Sequence, residues 1–328
     1  MDWAIETRRG ALDSPARTDE GERALFRIGA VQQRWNPDAE AHREALSEGI
    51  EIAAQEGARL VCLQELTLLP YFAIAPDDPS PCEPEPLLDG PTFAFAAANA
   101  ERCDVAVHAS LYEAADDGGL GYNTAIVVSP GGELLVRTRK THIPVTAGYH
   151  EDQYFRPGDS RQPVVEIEHG RFGFPTCWDQ WFPELARAYS LRGAQVIVYP
   201  TAIGSEPDHP DFDTQPLWQH VIVANGITNG MFMVAVNRIG AESRGSTTVT
   251  FYGSSFVSDP YGRLLVSAPR DEPAVLVADL DLRQRDDWLA LFPFLTTRRP
   301  ETYEPLVQEQ PNDARDQNKT DQDTDQNK

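Results

Sequence analysis

The segment from Phe26 to Gln64 constrains the fold more than any other. FRIGAVQ (26–32) is a short, almost unbroken apolar run, the pattern of a strand covered on both faces. AEAHREALSEGIEIAAQEG (39–57) follows, with apolar residues at helical spacing and a terminal Gly57 suited to a C-cap. RLVCLQ (59–64) is a second apolar strand that runs directly into Glu65. A strand, a helix and a strand of this kind require a sheet with helices layered on it, an α/β fold.

The rest of the chain extends that pattern. A helix is expected near 91–102, then a strand, DVAVHASLY, and a hairpin, NTAIVVS and ELLVRTR, around PGG. Residues 140–159 lack periodicity and read as a long ordered loop, where function tends to concentrate. GRFGFPT (170–176) is a strand, and Pro183 suits the first turn of a helix running to about Arg192. QVIVYP, MFMVAV, SSFVSD, RLLVSA and AVLVADL supply further strands, with a helix near 215–229. Hairpins mixed with crossovers imply a mixed sheet, or two stacked sheets with helices outside. The expected organisation is a flexible N-terminal arm (1–24), one domain (25–307) and an acidic, polar, disordered tail (308–328).

Charge limits the partners. The net charge is −23, and residues 309–328 hold six acids and three bases, so nearly all the acidity belongs to the body. That argues against nucleic acid or an anionic membrane as partner. It suits a cationic substrate, and it also suits a surface adapted to high salt. The N-terminus lacks the apolar core of a secretion signal, so a cytoplasmic protein is expected.

The four cysteines, Cys62, Cys82, Cys103 and Cys177, form no CxxC pair. Neither a structural metal site nor a disulfide scaffold is implied, and no metal is expected. Lysine is rarer still. Of 28 basic residues only Lys140, Lys319 and Lys328 are lysine, and the last two lie in the tail. Arginine supplies charge and a planar fork, whereas lysine supplies a compact ammonium with a tunable pKa. One lysine kept in the body suggests that an amine is needed there.

Glu65, Lys140 and Cys177 each fall at or just after a strand end, where sites gather in layered α/β proteins. Cys177, in FPTCWDQWFPE (174–184), is either a buried strand-end thiol or a nucleophile. A nucleophilic thiol needs a base or a nearby positive charge. Glu65 would accept its proton and return it to a leaving amine; Lys140 would favour the thiolate and steady an oxyanion. Together the three form an acyl-transfer apparatus that needs no cofactor. His142, within RKTHIP, reads as a structural hydrogen-bonder rather than a base.

VCLQELTLLPYF (61–72), RKTHIP (139–144) and CWDQWFPE (177–184) resemble the three catalytic segments of the nitrilase superfamily, the carbon–nitrogen hydrolases. The resemblance spans about residues 26–306 and continues through GYHEDQYFRPGD, YPTAIGSEP and NRIG. CWDQWFPE followed by YPTAIGSEP is most similar to the N-carbamoylputrescine amidase branch. The resemblance implies a four-layer α-β-β-α sandwich assembled as a homodimer or higher homo-oligomer. It implies Glu65 as general base, Lys140 as oxyanion stabiliser and Cys177 as nucleophile. Glu151 would stand beside substrate and lysine, Tyr71 would line the pocket, and the Trp178 amide would complete the oxyanion site. The implied substrate is a small cationic carbamoyl amine, its far end met by a carboxylate among Glu206, Asp208, Asp211 and Asp213. One departure stands out: Pro175 and Thr176 precede the cysteine where aliphatic residues are usual, and proline is awkward inside a central strand.

Overall fold

The computed structural model describes residues 2–76, 82–159 and 161–308. Its strands, in chain order, begin with β1 (Ala4–Arg8), β2 (Phe26–Gln32), β3 (Leu60–Cys62) and β4 (Ala106–Glu113). Then come β5 (Tyr122–Val128), β6 (Leu134–Arg139), β7 (Val145–Thr146), β8 (Tyr149–His150), β9 (Val164–Ile167) and β10 (Gly170–Gly173). β11 (Val196–Pro200), β12 (Phe232–Val236), β13 (Ile239–Arg244) and β14 (Thr247–Tyr252) follow. The last are β15 (Phe256–Ser258), β16 (Leu264–Ser267) and β17 (Ala274–Leu280). Five α-helices accompany them: α1 (Ala39–Gln55), α2 (Pro91–Cys103), α3 (Pro183–Leu191), α4 (Gln215–Asn229) and α5 (Gln284–Leu291).

Two mixed sheets carry the fold, one ordered β1-β17-β2-β3-β4-β5-β6 and the other β16-β15-β12-β11-β10-β9. Their inner faces share one apolar layer, in which Phe26, Ile28 and Leu60 of the first sheet meet Phe172, Val196, Val198 and Phe232 of the second. Burying a side chain of this size stabilises by about 1.5–3 kcal/mol. On the outer face of the first sheet, Leu46, Ile50 and Ala53 of α1 and Phe95, Ala96 and Ala100 of α2 cover Val31, Val61 and Val107. Helices α3 and α4 cover the second sheet through Leu185, Tyr189, Trp218 and Ile222. The layers are therefore α-β-β-α, as the resemblance implied.

Local chemistry explains the element ends. Asp38 caps α1, its Oδ1 accepting from the amides of Glu40 (3.0 Å) and Ala41 (3.2 Å). α4 stops at Gly230, whose φ of 64° is left-handed. β10 ends at Gly173, so Pro175 lies beyond the strand and removes no ladder donor. The chain is free there to leave the sheet and turn.

The N-terminal segment departs from expectation, because residues 2–24 are not a free arm. β1 pairs in parallel with β17, from Ala4 opposite Ala274 to Arg8 opposite Ala278. Trp3 packs against the α1 side of the sheet. Further along, the Gly10 amide donates to Asp279 (2.8 Å), and buried Arg23 binds Asp281 (3.1 Å) and Asp287 (2.5 Å). The described part of the first compact unit runs from residue 2 to Phe292, across the expected boundary at 25 and short of the one at 307. A second unit begins at Pro293, and its described part, to residue 308, holds two short 3-10 turns, Pro300–Thr302 and Glu304–Val307. The tail expected from 308 lies outside the described residues apart from Gln308. No helix among the described residues is long and apolar enough to cross a membrane.

Candidate active site

Three chain segments converge at the strand ends. Glu65 follows β3, Lys140 follows β6 and Cys177 follows β10. All three are buried, Glu65 and Lys140 almost completely. Lys140 Nζ donates to Glu65 Oε1 (2.9 Å) and to both oxygens of Glu151 (2.8 and 2.7 Å), which commits all three of its protons. Asn123, on β5, donates to the same Glu65 oxygen at 2.8 Å. Glu65 Oε2 has no hydrogen-bond partner among the described residues.

Cys177 opens a short 3-10 turn, Cys177–Trp181, with φ at +40°. A non-glycine residue held there costs on the order of 1–3 kcal/mol, offset by what surrounds it. Asp179, fully buried, accepts from the amides of Thr176 (3.1 Å), Thr141 (3.3 Å) and His142 (2.9 Å). It also accepts from His142 Nδ1 at 2.7 Å, which puts the imidazole proton on that nitrogen. The His142 ring stacks on Phe182 at 3.5 Å between centroids. Asp179 thus fastens the cysteine turn to the two residues that follow Lys140. Gln180 anchors the turn from the other side, accepting from Trp218 Nε1 (2.9 Å) and, through its carbonyl, from Asn225 (2.9 Å).

The electrostatics qualify one expectation. Burial pushes the Cys177 thiol well up, Glu65 pushes it further, and Lys140 opposes without prevailing. The ammonium is already neutralised by two carboxylates, so it does not produce a resting thiolate. Burial alone would lower the Lys140 pKa, but Glu151 and Glu65 raise it, keeping the ammonium charged. Burial pushes Glu151 up to about 7 against the pull of Lys140. The resting site therefore holds a neutral thiol. The backbone amide of Ala202, just after β11, donates to the sulfur and favours its ionised form.

The thiol opens onto a cavity of about 290 Å³ walled by Pro144, Trp178, Trp181, Ile203 and Leu217. Its charged lining residues are Glu151 and Glu206, both acidic. Of Glu206, Asp208, Asp211 and Asp213, only Glu206 lines it; Asp213 pairs with Arg270 at 2.7 Å. Tyr71, expected to line the pocket, is not among the residues that wall this cavity; it stands behind Glu151, donating to Oε1 at 2.8 Å. Among the described residues, no cluster of three His, Cys, Asp or Glu side chains could hold a metal.

Residues 27–289 match the carbon-nitrogen hydrolase family. The chain belongs to that family. Among relatives, this carbon-nitrogen hydrolase is 35% identical over 287 residues to an N-carbamoylputrescine amidase of Solanum tuberosum, covering 86% of this chain and 95% of that one. It is 32% identical over 284 residues to a citrullinase of Francisella tularensis, covering 87% and 99%. A crystal structure of a carbon-nitrogen hydrolase from Helicobacter pylori G27 superposes with a TM-score of 0.78 at 31% identity, covering 87% of this chain and 99% of that one.

Proposed function

We propose that this carbon-nitrogen hydrolase cleaves an N-carbamoyl amine with a cationic far end, and that N-carbamoylputrescine is its substrate. The observation that carries this reading is the cavity lining. Apolar walls suit a methylene chain, Glu206 suits a terminal ammonium, and no Arg or Lys among the lining residues would receive a carboxylate. Thr214 Oγ1 donates to Glu206 at 3.1 Å and steadies that carboxylate. Similarity to the potato amidase supports the same substrate.

In the reaction, Cys177 Sγ attacks the ureido carbon as its proton passes to Glu65 Oε2. The negative oxygen lies at Lys140 and the Trp178 amide. With its protons committed at rest, Lys140 gives up one Glu151 contact as charge builds on that oxygen. Glu65 returns the proton to the departing nitrogen, then takes one from the water that clears the thioester-like intermediate. One carbamoyl amine and one water become putrescine, ammonia and CO2, a step of polyamine biosynthesis.

A second reading, an amidase for another carbamoyl or amide substrate, draws on the likeness to the citrullinase. Ammonia release from N-carbamoylputrescine, N-carbamoyl-β-alanine, citrulline and simple amides separates the two. The expected preference is for N-carbamoylputrescine, lost in Glu206→Gln chiefly through KM. Faster turnover of citrulline or N-carbamoyl-β-alanine would overturn the substrate assignment.

A further inference from the structure

The reaction uses no atom of NRIG (237–240), yet this segment reaches the centre of the site from the other sheet. Arg238, just after β12, is fully buried. Its Nη2 donates to three carbonyls of the loop after β3: Glu65 (2.8 Å), Leu66 (3.2 Å) and Leu69 (3.1 Å). Its Nη1 donates to Glu242 Oε1 at 2.6 Å. The other Glu242 oxygen accepts the Tyr71 amide at 2.7 Å, and Tyr71 in turn donates its hydroxyl to Glu151.

From this we infer that Arg238 and Glu242 are a positioning pair for the general base Glu65, with Glu242 also fixing Tyr71 and thereby Glu151. The inference rests on the reading of Glu65 as base and Cys177 as nucleophile. Leu66 has a φ of +48°, a conformation that a leucine does not hold unaided. The guanidinium collects the carbonyls on both sides of that residue and so fixes the backbone that aims the Glu65 carboxylate. A buried guanidinium is costly unless its donors are satisfied, and a carboxylate partner is the usual means. Here that carboxylate spends its second oxygen on the segment that backs Glu151. One ion pair therefore sets the separation of the two carboxylates that share Lys140.

A mere staple between sheets would change melting and leave the thiol's chemistry alone. A positioning pair changes the rate at which Glu65 takes the thiol proton. The charged and titratable groups that face Glu65 are Lys140, Glu151, Tyr71, Tyr149 and Cys177, and both substitutions below leave all five in place.

The experiment uses full-length Arg238→Lys and Glu242→Gln proteins. Iodoacetamide alkylation of the Cys177 peptide is followed by mass spectrometry from pH 5 to 9, alongside kcat and KM for N-carbamoylputrescine and the melting temperature. A lysine cannot span three carbonyls and a carboxylate. Arg238→Lys is expected to lose about 100-fold in kcat with KM nearly unchanged. Both variants should alkylate Cys177 at least about tenfold more slowly at pH 7, with a displaced pH profile. Parental alkylation rates and profiles in folded variants would overturn the inference, as would a loss of kcat without a change in alkylation. If Arg238→Lys does not fold, Glu242→Gln decides alone, since it retains the shape and the acceptor for Arg238. Alkylation needs no substrate, so an error in the substrate assignment would leave this test standing.

Discussion

The molecule contains one topology twice. β2, β3 and β4 are parallel neighbours, joined through α1 and α2 and extended by antiparallel β5 and β6. β10, β11 and β12, joined through α3 and α4 and extended by β15 and β16, repeat that arrangement. The two halves differ at their corners. The first half and the loop after it supply the ionisable groups Glu65, Lys140 and Glu151. The second supplies the thiol, the Ala202 amide and the braces Asp179 and Arg238. β2 runs for seven residues, whereas its counterpart β10 stops after four. That early stop leaves room for a tight turn with a cysteine at its head. Equivalent layers thus serve both halves, and the site divides between ionisable groups on one side and the thiol with its braces on the other.

The sharpest way to break this division is to remove the cation of the charged half. Lys140→Met is expected to reduce turnover by at least about 10³-fold. It also leaves Glu65 and Glu151 buried without their partner, costing about 3 kcal/mol at pH 7. That cost shrinks as pH falls and Glu151, whose pKa burial raises, takes up a proton, so melting temperature against pH checks it alongside activity. Parental turnover would remove the lysine from the mechanism and favour a Cys–His hydrolase.

Asp179→Asn tests the scaffolding half with a smaller effect. An amide has one accepting oxygen and turns its NH2 toward amide donors that Asp179 now satisfies. A fall in kcat of about 100-fold is expected with KM little changed. Steady-state kinetics on a variant whose melting temperature stays near the parental value checks this, and parental kcat would show that the brace is not needed.

The smallest effect concerns the seam between halves. His108 on β4 is fully buried, has no partner at either ring nitrogen among the described residues, and stacks on Phe174 at 5.2 Å. Burial pushes its pKa down to about 3, below the ordinary 6.5. Between those values the unfolded chain binds more protons, so stability falls as pH drops below 6.5, by at most about 1.4 kcal/mol per unit. His108→Phe keeps the stack and removes that slope, so its melting temperature should decline less between pH 7 and pH 4. An unchanged slope would assign the acid sensitivity elsewhere.

Most of the layers were legible in the sequence, because apolar runs and helical spacing report burial directly. β2, α1 and α4 lie where periodicity and caps placed them. β1 was not legible, since Ile5, Glu6, Thr7 and Arg8 are exposed along an edge held by pairing with β17, 270 residues away in sequence. Cys177, Lys140 and Glu65 stood out through residue type and position. Asp179, Arg238 and Glu242 did not, because a buried charge looks like a surface charge until its distant partners are known. CWDQW and NRIG were visible as motifs, and only the fold gave their polar residues partners 37 and 173 positions away.

The sequence's economy with lysine has a practical outcome. Among residues 2–308 the sole ε-amine is that of Lys140, and it is sealed. Reagents that acylate lysine side chains in this stretch can react only when the site opens. The extent of label at position 140 therefore measures how often that happens, giving the folded enzyme a built-in gauge of its own breathing.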